Sequence, residues 1–230
     1  MRRQLGSALI IVLVMLVLIV SIGTWAIKSG VLGLRLATNS QVQALLLENS
    51  NAALFNLEDP KQVARQLAAD GMYSYFNDAN NADDELVFCY RASQSTFFSM
   101  QNASVIDPQG GTTKNGVNGF CKATQYATGR SAVLSQVYLR KNINNADPLS
   151  LVPKGTSLGA SLTSIPMVLN NISATVISVL PSFSSATSTQ IENCFRKRAA
   201  EVSACFMQWN IPFNTQKADY TVGANPQLIK

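Results

Sequence analysis

Four cysteines, four neighbouring carboxylates and one run of three basic residues are the side chains in this sequence whose types and spacing could do chemistry. Cys89, Cys121, Cys194 and Cys205 include no Cys-x-x-Cys pair, which argues against a zinc site and against a thioredoxin-type redox site. An even count fits disulfides formed in an oxidising compartment. Three connectivities are open to four cysteines, and the sequential one, Cys89–Cys121 with Cys194–Cys205, is favoured. It carries a geometric condition. In one straight helix the eleven positions from Cys194 to Cys205 separate the Cα atoms by about 16 Å, whereas a disulfide needs under about 7 Å. The helix expected over residues 188–209 must therefore break between them, near residues 199–203.

Asp78, Asp83, Asp84 and Glu85 offer oxygen ligands, but the stretch has neither the spacing nor the glycine of an EF-hand loop, so calcium is disfavoured. No metal or cofactor is expected. Arg196-Lys197-Arg198 offers a contact for DNA or an acidic partner, and a solvated helix face is the plainer reading. Asn102-Ala103-Ser104 and Asn171-Ile172-Ser173 match glycosylation tripeptides, which are common by chance. The sequence contains no histidine, which excludes His-based triads, His acid–base catalysis and His metal sites. There is no P-loop, no Gly-x-Ser-x-Gly and no Rossmann fingerprint. Nothing marks a serine–lysine pair. The chain is expected not to be an enzyme.

The elements around these residues are set by length and charge distribution. A chain of 230 residues, 47% hydrophobic, holds one or two domains and enough apolar material for a sizeable core. Its net charge of +5 is unevenly placed. Arg2, Arg3, Lys28 and Arg35 are the only charges before Glu48, so almost all of the excess sits at the N-terminus. That is a pattern of targeting, and no direct nucleic-acid binding is expected.

Residues 7–27 carry no charge. A helix of that length spans roughly 31 Å, about the hydrocarbon thickness of a bilayer, and it exceeds the apolar region of a cleaved secretory signal. Trp25 falls where an amphipathic ring suits the lipid–water boundary. With all four cysteines downstream, the N-terminus is placed in the cytoplasm and the rest outside. The helix is expected to continue through residues 28–55 as an amphipathic stretch. Val31, Leu34, Val42, Leu45, Ala52 and Phe55 form its apolar stripe, with Asn39, Gln43 and Ser50 toward the other face. Glu58-Asp59-Pro60 then ends it.

A short basic leader ending in glycine, followed directly by an apolar run and a long helix, resembles a type IV prepilin or pseudopilin. Within that class the chain is most similar to the PilX family of minor pilins. The similarity lies in GSALIIVLVMLVL, a Gly-x-Ala-Leu-Ile-x-x-Leu pattern in that family, and in LATNSQVQALLLENSNAAL, and it covers residues 1–55. It implies that a prepilin peptidase cuts after Gly6 and that Ser7 becomes the methylated N-terminal residue. It implies a protein held in the bacterial inner membrane and later at the pilus tip, where it primes assembly and supports twitching motility, adhesion or DNA uptake. Its implied partners are other minor pilins, the major pilin and the prepilin peptidase, with room for a PilY-type tip adhesin. Two departures from most major pilins stand out. Ser7 replaces an aromatic first residue, and Ile11 replaces the glutamate at the fifth mature position. The family is thought to pair that glutamate with the N-terminal amine of a neighbouring subunit. A chain with Ile11 cannot make the pair and has less need of a subunit ahead of it. The plainer reading of Ile11 is one more lipid-facing residue. The alternatives are a type II secretion pseudopilin of the GspK kind and a single-span anchored periplasmic protein.

The expected organisation is therefore a leader (1–6), a transmembrane helix (7–27), its amphipathic continuation (28–55) and a globular head (56–230). The head reads as α+β, with the long helix packed on an antiparallel sheet, an arrangement that also resembles the pilin fold. Helix is expected over residues 62–75, with Val63, Leu67 and Met72 on one side. Strands are expected over 86–92, 95–101 and 131–141, with two more within 164–183 and an edge strand at 220–222. Residues 107–119 read as a loop, and 184–189 as a small-polar linker.

Overall fold

No proline interrupts the sequence before Pro60, and residues 5–57 form one helix, α1 (Leu5–Leu57). The computed structural model describes residues 5–66, 68, 71–94, 98–129, 132–141 and 170–222. After α1 come α2 (Pro60–Gln66), α3 (Met72–Tyr75), β1 (Glu85–Tyr90), β2 (Ser104–Ile106), β3 (Leu134–Lys141), β4 (Asn170–Val179), α4 (Ser188–Phe195), α5 (Ala199–Gln208) and β5 (Phe213–Val222). The chain divides into two units, Met1–Ala44 and Leu45–Lys230, so the last turns of α1 belong with the sheet.

The break after α1 falls where proline chemistry puts it. Asp59 caps α2: its side chain accepts from the Lys61 amide at 2.9 Å and its carbonyl from the Gln62 amide at 2.8 Å. Pro60 takes the first helical position, where its missing N–H costs nothing. The helix expected over 62–75 is two pieces, α2 and α3, separated before Gly71. Met72 is buried and Val63 half-buried, while Leu67 lies outside the described residues.

The sheet has the order β2-β1-β3-β4-β5 and every pairing is antiparallel. Both of its faces are covered. On one face Leu86, Phe88, Val137, Leu139, Ala174 and Val176 pack with Ala53 and Leu57 of α1 and with Met72, Tyr73 and Phe76. On the other, Val87, Leu134, Tyr138, Ile177 and Val179 pack with Ile191, Phe195, Val202 and Phe206 of α4 and α5. That explains why β1 is buried at all six positions instead of alternating. The expected α+β arrangement of a long helix on an antiparallel sheet is thus present.

Several local expectations fail for identifiable reasons. Residues 95–97 lie outside the described residues, and Phe98–Asn102 is a turn leading into a 3-10 helix, not a strand. Phe98 is drawn inward, edge-on to Phe88 with ring centroids 5.6 Å apart. The strand beside β1 is instead β2, with Leu86 opposite Val105. Of the two strands expected within 164–183, the described residues hold one, β4. Pro181 closes it by opening a 3-10 turn, and residues 164–169 lie outside the described set. The edge strand expected at 220–222 starts earlier, as β5 pairs with β4 over ten residues. Residues 188 and 189 of the expected linker begin α4, capped by Thr187, whose hydroxyl and the Gln190 side chain each take up the other residue's amide.

The stripe expected on the amphipathic part of α1 holds only in part: Val42 is buried and Leu45 and Ala52 are half-buried, but Val31, Leu34 and Phe55 are exposed. Phe55 is 76% exposed and Leu34 70% exposed, while Ser50, assigned to the polar face, is fully buried. The buried positions in the head are Leu46, Asn49, Ser50, Ala53 and Leu57, at helical spacing. A periodicity read from apolar residues alone skips Asn49 and Ser50 and rotates the helix.

Candidate assembly surface

In the first unit, Gly6 and Ser7 fall in the first turn of α1. Every residue from Leu9 to Val20 is apolar and exposes more than half of its surface, Ile11 at 58%. An all-round apolar helix is stable only where other apolar groups cover it, in lipid or among other such helices. Among the described residues α1 is the one helix long and apolar enough to cross a membrane. Its hydroxyls are satisfied within the helix. Ser21 donates to the Val17 carbonyl at 2.7 Å, and Thr24 to the Ser21 carbonyl at 2.9 Å, so these two hydroxyls do not need water. Trp25 is 75% exposed, and Lys28 marks the end of the uncharged run.

In the second unit, α1 is held in register by polar contacts inside an apolar seam. The Ser50 hydroxyl donates to Ser178 Oγ of β4 at 2.8 Å, and Ser178 Oγ lies 2.7 Å from Ser135 Oγ of β3. The three hydroxyls form one buried chain, and a buried hydroxyl left unpaired is costly. Asn56 Nδ2 reaches the Tyr90 hydroxyl at 3.3 Å, and Tyr220 of β5 donates to Glu58 Oε1 at 2.8 Å. Burial and the Glu58 carboxylate push the Tyr220 phenol up. The outer face of this segment presents Leu47 and Phe55.

All four cysteines are bonded, Cys89 to Cys121 and Cys194 to Cys205, as the sequential reading expected. Both disulfides lie on the sheet face opposite α1. The Cα atoms of Cys194 and Cys205 are 5.6 Å apart because α4 ends at Phe195 and α5 begins at Ala199. The break therefore lies at residues 196–198, ahead of the expected 199–203. Glu85 of β1 fixes it there: its Oε2 accepts from the Ala199 amide at 3.0 Å and so caps α5, while its Oε1 lies 3.8 Å from Arg198. Gln136 of β3 joins the two disulfide regions. Its Oε1 accepts from the Cys121 amide at 2.8 Å and its Nε2 donates to the Phe195 carbonyl at 2.7 Å. The Tyr138 hydroxyl donates to the same carbonyl at 2.9 Å, and burial raises that phenol well above its ordinary value. Gly119 is required beside this loop, since a Cβ there would collide with the Val87 carbonyl oxygen and the Ser104 amide nitrogen.

The carboxylates do not converge. Asp78 accepts from the Asn80 amide, Asp84 takes Lys114 Nζ at 2.7 Å and the Tyr75 hydroxyl at 2.8 Å, and Glu85 caps α5. Among the described residues no group of His, Cys, Asp or Glu gathers as a metal site. Arg196 and Arg198 end and begin helices, and Arg198 donates to the Asp83 carbonyl at 3.2 Å. The second glycosylation tripeptide has its Ser173 buried; in the first, Ser104 Oγ accepts from the Gly119 amide. The tyrosines are not poised as bases: burial raises Tyr73 to about 12, and burial with the Asp84 carboxylate raises Tyr75. The sequence reading missed Gln136, Ser135 and Ser178, polar strand residues that nothing in the sequence marks as buried.

No family model matches the chain, and neither a curated protein nor a solved structure matches it.

Proposed function

We propose that this chain is a minor pilin of the PilX kind, held in the inner membrane by residues 7–27 and then placed at or near the tip of a type IV pilus. The observation that carries the reading is the order of parts: a basic leader ending in Gly6, an uncharged run starting at Ser7, and a helix that continues unbroken into an α+β head. The apolar surface of residues 9–20, each more than half exposed, is suited first to lipid and then to the helices of neighbouring pilins. The two disulfides suit a head folded in the periplasm, with the N-terminus cytoplasmic. Leu47 and Phe55 extend that contact surface along the head's own stretch of α1.

Ile11 gives the proposal its direction. A carboxylate within the bilayer is costly, and a subunit carrying one gains by finding an amine ahead of it. A subunit with Ile11 has no such debt and is content to be first. Its partners on this reading are other minor pilins below it, the major pilin beyond them, the prepilin peptidase before assembly and a PilY-type adhesin above.

The intact mass of the mature chain tests the reading. Loss of residues 1–6 with one methyl group on Ser7 is expected, and Gly6→Ala should retain the leader. A mature chain that keeps the leader, or one indifferent to Gly6→Ala, overturns it in favour of a simple membrane anchor. Deletion separates the filament systems: loss of pili and twitching is expected, whereas loss of protein secretion with pili intact points to a GspK-type pseudopilin. Ile11→Glu should disturb piliation or tip location.

A further inference from the structure

We infer that an open groove beside the Cys89–Cys121 disulfide binds a carboxylate-bearing saccharide. Arg91 takes the carboxylate, and the hydroxyls of Ser93, Thr124, Tyr126 and Thr128 meet those of the sugar. These five residues line a cavity of about 290 Å³, far larger than the ~10–15 Å³ that a single water requires. Arg91 is the one charged side chain in the lining, which includes no carboxylate. It follows β1 directly and is half-buried. Its Nε is enclosed without a partner, so the side chain is packed in place and Nε itself does not reach the groove. The two terminal nitrogens are not enclosed. Among the described residues nothing pairs with them, whereas Lys114 has Asp84 at 2.7 Å and Arg198 has Glu85 at 3.8 Å. The end of the guanidinium fork is therefore open.

The lining selects its ligand. Two terminal nitrogens in one plane match the two oxygens of a carboxylate. A phosphodiester chain calls for several cations in a row, and the groove has one. A neutral ligand would leave the guanidinium without a counter-charge. The four hydroxyls each donate one hydrogen bond and accept others, which is also the chemistry of a sugar ring. Tyr126 joins a ring to its hydroxyl, so one side chain serves both the C–H face and the hydroxyls of a sugar. A bound peptide needs recesses for its alternate side chains, and Ala127 is the one aliphatic residue in the lining.

The groove is built before any ligand arrives. The disulfide holds the Cα atoms of Cys89 and Cys121 4.8 Å apart. The Ala92 amide donates to the Ala127 carbonyl at 2.9 Å, and the Ala127 amide to the Val133 carbonyl at 2.8 Å. The Gln125 side chain accepts from the Lys122 amide at 3.1 Å, and Glu192 of α4 accepts from the Ala123 amide at 2.8 Å. A loop tied at this many points has little freedom left to lose on binding. The site lies wholly in the head and does not rest on the pilin reading, so a chain that fails the Gly6 test leaves it untouched.

The test uses the full chain in detergent micelles, with the arginine side chains labelled for NMR and trigalacturonate and its methyl ester as probes. At millimolar trigalacturonate the Arg91 guanidinium resonances should shift. The ester should bind about tenfold more weakly, the worth of one hydrogen bond to a charged group. Arg91→Gln should bring the two probes to equal affinity, while Lys217→Gln, outside the groove, should leave the preference as it was. Wild-type Arg91 resonances that ignore trigalacturonate, or respond equally to the ester, overturn the proposal. So does a preference lost in Lys217→Gln, which would mean attraction to the chain's charge at large. Inorganic phosphate or N-acetylglycylglycine binding as tightly as trigalacturonate also overturns it, in favour of a simple anion site or a peptide C-terminus. If Arg91→Gln does not fold, the comparison of probes on the wild-type chain decides alone.

Discussion

The two ends of α1 obey opposite rules. From Leu9 to Val20 the helix is apolar on every side, and each residue exposes more than half of its surface. From Leu46 to Leu57 it is apolar on one side only, and that side hides a serine and an asparagine while a phenylalanine stands outside. Burial in the head is chosen by complementarity to the sheet, where Ser50 finds Ser178. Exposure in the first unit is chosen by the surroundings, which must be apolar everywhere. Hydrophobicity alone predicts the first region and misleads in the second.

Four substitutions and one change of pH would break that contrast or sharpen it. Leu57→Ala removes a buried side chain from the cluster beneath α1 and should cost the head about 2–5 kcal/mol in denaturant unfolding, with membrane insertion unchanged. Leu18→Arg should do the reverse. It should raise the apparent cost of insertion by about 3–4 kcal/mol in a translocon-insertion assay and leave the melting temperature of the head as it was. Raising the pH through the tyrosine range separates the regions again. Folded Tyr73 holds its proton to about 12, against 10.0 for the free side chain. The unfolded chain therefore loses protons first, and the stabilisation present below pH 10.0 is lost as the pH climbs toward about 12. Thermal melts of the head should record that fall, while the N-terminal span, which has no tyrosine, should keep its helicity. Ser50→Ala should cost about 1 kcal/mol, whereas Phe55→Ser, at the exposed position, should stay within about 0.5 kcal/mol by the same unfolding measurement. Equal effects for that last pair would mean the helix faces the sheet as apolar periodicity alone suggests.

What the sequence made legible follows the same division. The apolar span needed only a count of uncharged residues. The β1 and β3 segments were legible because buried strands are runs of β-formers whichever way they face. The disulfide condition was sound in requiring a break between Cys194 and Cys205, but its position was set by Glu85, more than a hundred residues away, whose carboxylate caps α5. No local pattern announces that. Residues 95–101 looked like a strand by composition, yet Phe98 is an inward plug on Phe88. Gln66, Gln136 and Ser178 were invisible for a common reason: a polar residue in a helix or strand reads as solvent-facing until the fold shows that it is buried. Gln136 and Ser178 turn out to be satisfied inside the fold, and Gln66 is not.

The placement of the disulfides has a mechanical consequence. Cys89–Cys121 ties β1 to the loop before β3, and Cys194–Cys205 ties α4 to α5, both on the sheet face away from α1. Neither bond crosses to the helix. Tension carried along α1 reaches the sheet through the Ser50 hydroxyl, the side chains of Ala53 and Leu57, and the Tyr220–Glu58 contact. These are noncovalent attachments. The force at which α1 peels from the head is therefore indifferent to reductant, while the length of chain paid out afterwards is not, because the oxidised loops stay closed. The covalent staples limit how far the head can unravel and leave the strength of its attachment to packing and hydrogen bonds.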